Sequence, residues 1–138
     1  MEISRNQQHY IIMTVIYDEI NDYVYNGGHV FRDARDLIAG TANMPYEEVN
    51  PFVINSVNET LKHYGEIIDA FSPHLKDWKW ERLPGLTQSI LLMSYAHFYY
   101  VEKVDKKIVI SIAIDLAKKY IDEKQAKFIH AILDGVLK

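Results

Sequence analysis

With 138 residues, 49% of them hydrophobic and 25% charged, the chain has the length and balance of one globular domain able to bury a core without staples. The absence of cysteine excludes disulfides, thiolate catalysis and cysteine zinc sites. A net charge of −4 argues against autonomous nucleic-acid binding, which draws its affinity from released counterions, but the charge is uneven. Residues 1–102 carry 7 Lys/Arg against 14 Asp/Glu, a net −7, whereas residues 103–138 carry 8 against 5, a net +3.

In chain order, the start MEISRNQQHY lacks a basic, apolar signal-peptide pattern, so a cytoplasmic protein is expected. A first helix is predicted from Ser4 to Tyr25, with Ile12, Val15, Ile16, Ile20, Tyr23 and Val24 on one face, stopped by Asn26-Gly27-Gly28. A second runs from His29 to Ala39 with Val30, Phe31, Ala34, Leu37 and Ile38 on one side; Gly40, Asn43 and Pro45 then make a loop. Asn50-Pro51 reads as a cap followed by proline at the first helical position, opening a helix that carries Phe52, Val53, Val57, Thr60 and Leu61. A short helix covers Gly65 to Phe71, and the aromatic stretch Leu75–Leu83 caps the bundle, with packing as the reading for Trp78.

The segment Leu86–Val101 is apolar around most of its circumference, too short and too polar to cross a bilayer, and reads as the central buried helix. Asp105 caps a helix reaching Tyr120, with Ile108, Ile112, Leu116 and Ala117 inward. Asp122 and Gln125 form a capping-box pattern for the last helix, which carries Phe128, Ile129, Ile132, Leu133 and Val136. No segment shows the strict alternation of a half-buried strand, so the fold class is all-α.

Catalytic patterns are missing from the sequence. The six histidines never fall three to five apart, so no helix offers a zinc-binding pair. Gly27-Gly28 joins two helices and is a turn, not a phosphate loop, and no serine stands in a nucleophile elbow. Ten tyrosines suit a protein that makes interfaces, since Tyr joins apolar area to a polar tip.

The stretches DWKWERLPGLTQSILLMSYAH, IDLAKKY and FIHAILDGVLK, in that order, together with SRNQQHYIIMTVIYDE at the start, resemble the NusB family of bacterial transcription antitermination factors. The resemblance implies one domain over residues 1–138, a bundle of about seven helices in two packed halves, no enzymatic activity, no cofactor and no membrane partner. It implies binding of boxA-like single-stranded RNA together with NusE, a small-subunit ribosomal protein, within the RNA polymerase antitermination complex that acts notably on ribosomal RNA operons. By position, Arg5, Asn6, Gln7, His9, Lys124, Lys127 and Phe128 would meet RNA, with Phe128 stacking on an unpaired base. Tyr17, Glu81, Leu86 and Thr87 would meet NusE.

This chain also departs from its relatives. Asn6, Gln7 and His9 stand where basic residues are usual in the first turn. Leu92 and Ala96-His97 replace an Arg and a Tyr-Glu pair, and Ser111-Ile112 and His130-Ala131 replace Asn-Glu and Asn-Gly, which predicts a more apolar interior. The arginine-poor first turn makes a second reading available: a NusB-like protein–protein interaction module that has lost RNA recognition. An apolar surface meant for a partner also leaves a homodimer open.

Overall fold

Four helix starts are set by side chains that satisfy the otherwise orphaned first N–H groups. In the computed structural model, which describes residues 3–138, Ser4 Oγ accepts from the Gln7 N–H at 3.2 Å while Ser4 N donates back to Gln7 Oε1 at 3.1 Å, a reciprocal capping box that opens α1 (Arg5–Tyr25). Asn50 accepts from the Phe52 N–H at 2.8 Å and opens α3 (Pro51–Lys62). Asp105 caps the Lys107 N–H and opens α6 (Lys106–Tyr120); Asp122 caps the Gln125 N–H and opens α7 (Glu123–Val136). Between them lie α2 (Arg35–Ala42), α4 (Tyr64–Phe71) and α5 (Gly85–Ala96), with short 3-10 turns at Tyr46–Glu48, Ser72–His74 and Trp80–Arg82. No strand occurs among the described residues.

Helix α5 is the axis. α1 and α3 pack on it from the N-terminal half, α4, α6 and α7 from the C-terminal half, and α6 and α7 pair closely. Ile90, Leu91, Leu92 and Ala96 are fully buried, so the helix has no solvent stripe. Burying each such aliphatic side chain is worth about 1.5–3 kcal/mol, but a polar group carried into the same core must find a partner. Three polar side chains of α5 do: Ser89 Oγ donates to the Met13 carbonyl at 2.7 Å, Gln88 Nε2 to the Trp80 carbonyl at 2.9 Å, and Thr87 Oγ1 to Gln125 Oε1 at 2.8 Å. The helix ends in a π-helical turn, His97–Val101, closed by the Glu102 N–H on the His97 carbonyl.

Several sequence expectations need correction. The second helix starts at Arg35, not His29, and runs past Gly40 to Ala42. Residues 29–34 are held out of helix by tertiary contacts: Phe31 stacks on Tyr23 at 4.1 Å and meets Tyr64 edge-on, and Arg32 bonds Glu19 at 3.0 Å. Asp33 accepts from the Arg35 N–H at 2.9 Å just ahead of the helix, whose cap position is Ala34. Val24 and Val30, expected inward, are exposed. In α6 the buried stripe is Val109, Ile110, Ala113, Leu116 and Ala117, and Ile108 is exposed. Trp78 is 57% exposed and Trp80 takes the packing role, stacked on Phe71 at 5.8 Å. Leu92 and Ala96 bear out the apolar interior, whereas buried His97 keeps a polar contact, to Glu102 at 2.7 Å, and Ser111, His130 and Ala131 are exposed, so those replacements do not change the interior.

Candidate nucleic-acid interface

The first turn of α1 carries four of the sequence-nominated RNA residues, and most of their polar groups are engaged within the protein. Arg5 lies with its guanidinium carbon 3.5 Å from the centre of the Phe52 ring and pairs with the Glu102 carboxylate. The Gln7 side chain closes the helix cap. Asn6 is exposed. His9 needs the plainest correction: it is 5% exposed, its ring set edge-on against Phe52 at 5.9 Å and tilted against His97 at 6.5 Å. Burial, helped by the nearby positive charge of Arg5, pushes its pKa down to about 4, so it is a neutral imidazole near pH 7. Its Nε2 is buried without a hydrogen-bond partner among the described residues.

The other nominated residues sit across a corner. α6 ends in Lys118, Lys119 and Tyr120; the chain turns through Ile121, and the first turns of α7 present Lys124 and Lys127, both exposed, and Phe128, half-buried against the core. None of these four lysines enters an ion pair among the described residues. Tyr120 packs on Tyr10 of α1 at 5.0 Å, which brings the corner against the first turn of α1. Asn6 and His9 share a small cleft of about 120 Å³ with Asp115, Lys119 and Tyr120. The residues that sequence reasoning did not nominate are therefore Tyr10, Lys118, Lys119 and Tyr120. For the two lysines the signal was the lysine excess of the last third, but only folding shows that α6 delivers part of it to α1.

The residues nominated for a protein partner divide. Tyr17 lies against Gly85, where a Cβ would stand 2.6 Å from the tyrosine ring, so α1 and the entry to α5 touch backbone to side chain. Leu86 is half-buried beside it, and Glu81 is exposed on the preceding turn. Thr87 is a correction: it is 0% exposed and spent on Gln125, which is why Gln125 does not complete the expected reciprocal cap. Nearby, burial raises the pKa of Glu19 while Arg32, bonded to it, opposes the shift.

The NusB family model matches residues 8–138. The chain belongs to the NusB family. Among curated relatives, it is 33% identical over 92 residues to the transcription antitermination protein NusB of Exiguobacterium sp., covering 67% of this chain and 72% of that one. It is 29% identical over 90 residues to the NusB protein of Bacillus subtilis, covering 65% and 69%. The solved structure of T. maritima NusB superposes with a TM-score of 0.80 at 17% identity, covering 99% of this chain and 92% of that one, so the all-helical NusB fold extends across the described residues. No helix among them is long and apolar enough to cross a membrane.

Proposed function

We propose that this NusB-family protein is a cytoplasmic, non-catalytic antitermination factor that binds boxA-like single-stranded RNA together with NusE, as part of an RNA polymerase antitermination complex. The observation that carries the RNA part is the α6–α7 corner: Lys118, Lys119, Lys124 and Lys127 are exposed and make no ion pair among the described residues, with Lys119 lying over the Tyr120 ring and Phe128 close by in α7. Lysines that neutralise phosphates supply affinity, and a half-exposed aromatic ring supplies a stacking platform for an unpaired base. Asn6 adds hydrogen bonding at the edge of this surface. Tyr17, Glu81 and Leu86 form the surface offered to NusE, at the seam between α1 and α5. Titration of boxA-like RNA at low salt, with and without the cognate NusE, tests the reading. Weak binding alone and tighter binding with NusE is expected; no binding in either state removes it.

A specific observation favours a second reading, an interaction module that keeps the protein partner and has lost RNA. The single arginine of the first turn is tied to Glu102 and Phe52, and His9 is buried and neutral. Retention of NusE without RNA would select this reading.

A further inference from the structure

The cleft between the first turn of α1 and the last turns of α6 has a chemistry of its own. Its floor is apolar, from Ile112 and Leu116, and the Tyr120 side chain forms one wall, fixed by its contact with Tyr10. Asn6, Asp115 and Lys119 are polar lining residues exposed at its mouth, and His9 lies alongside. At about 120 Å³ the space holds one six-membered ring. Flat apolar surfaces bounded by an amide and a carboxylate are what an aromatic heterocycle with polar edges requires.

We propose that this cleft is a subsite for one unpaired cytosine base, with Asp115 reading its exocyclic amine. The proposal rests on the RNA reading above and deepens it. An ionised carboxylate only accepts hydrogen bonds, so it matches the amino group of cytosine and repels the carbonyl oxygen that uracil presents at the same place. The Asn6 amide, both donor and acceptor, meets the remaining edge, whether carbonyl or ring nitrogen. Lys119, whose ammonium lies 5.4 Å from the centre of the Tyr120 ring, is the lining cation available to a flanking phosphate; the Asp115 carboxylate makes the cleft itself unsuitable for the phosphate. His9, buried and neutral, lines the cleft without adding charge to it.

The test uses the full chain, labelled with nitrogen-15, titrated separately with cytidine 5′-monophosphate and uridine 5′-monophosphate and followed by amide NMR. Saturable shifts are expected at Asn6, Lys119 and Tyr120, with the cytidine nucleotide bound about tenfold more tightly, the discrimination of one well-placed edge contact. Asp115→Asn replaces the acceptor with a group that can also donate, and is expected to bring the two nucleotides to within about threefold. Ile112→Trp fills the floor and should abolish the shifts; if it fails to fold, the Asp115 variant, altered at an exposed position, still decides. Absence of saturable shifts, equal affinity for the two nucleotides, or an unchanged ratio in Asp115→Asn overturns the subsite. Because mononucleotides need neither boxA nor NusE, selective binding with no boxA binding would leave the subsite standing and remove the antitermination reading. The reverse result would do the opposite.

Discussion

The first turn of α1 and the α6–α7 corner face each other across Tyr10 and Tyr120, yet they treat their polar side chains in opposite ways. In the first turn Gln7 closes a cap, Gln8 donates to the Ile3 carbonyl, Arg5 pairs with Glu102 and His9 is buried. At the corner Lys118, Lys119, Lys124 and Lys127 are exposed and make no ion pair among the described residues. Sharing a surface is therefore not sharing a role: one side holds the fold together, and the other keeps charge available to a ligand. The family resemblance nominated both sides from position alone, and position does not reveal which groups are already spent.

The strongest way to break this contrast is to remove the corner's charge. Replacing all four lysines with Ala should lower the salt dependence of boxA-like RNA binding by up to about three units of log–log slope, since each lost contact to a single strand removes roughly 0.7. A slope that stays the same in anisotropy titrations across salt would move the phosphate contacts elsewhere.

The next effect lies on the buried side of the first turn. The folded state holds His9 near pKa 4 against 6.5 in the unfolded chain, so between these values the unfolded state binds more protons. Stability is fully present above about pH 6.5 and is lost as pH falls towards 4. The shift corresponds to about 3 kcal/mol in all. In urea unfolding at pH 4 and pH 7, His9→Phe, an aromatic replacement without a titrating group, should lose that much less than the parent; parallel pH profiles would show that His9 is not desolvated.

Arg5 carries the smallest expected effect. Because Glu102 already neutralises it, Arg5→Ala should change the RNA salt slope by less than the roughly 0.7 of a full contact, whereas Glu102→Gln, which releases the guanidinium, should raise it. A full-sized loss in Arg5→Ala would mean that RNA outcompetes Glu102, and the two regions would then be alike.

How much of this was legible depends on the range of the interactions. Ser4, Asn50, Asp105 and Asp122 are caps that act within three residues, and all four start the helices they were expected to start. The α2 boundary was not legible, because Phe31 and Arg32 answer to Tyr23, Tyr64 and Glu19 rather than to their neighbours in sequence. The α6 stripe slipped because KKIVISIAIDLAKKY offers two overlapping apolar faces, and only the partner helices choose between them. Thr87 and His9 were misplaced for a related reason. A polar residue in an apolar stretch reads the same whether it faces water or has found a partner inside.

The π-helical turn at the end of α5 has a consequence for spacing. It closes through Glu102 on the His97 carbonyl, and Glu102 is also the carboxylate that holds Arg5 and His97. A wide turn of this kind accommodates an additional residue without breaking the helix. The Phe98–Val101 turn thus stands between His97 and the carboxylate that ties down the arginine at the opposite end of the chain.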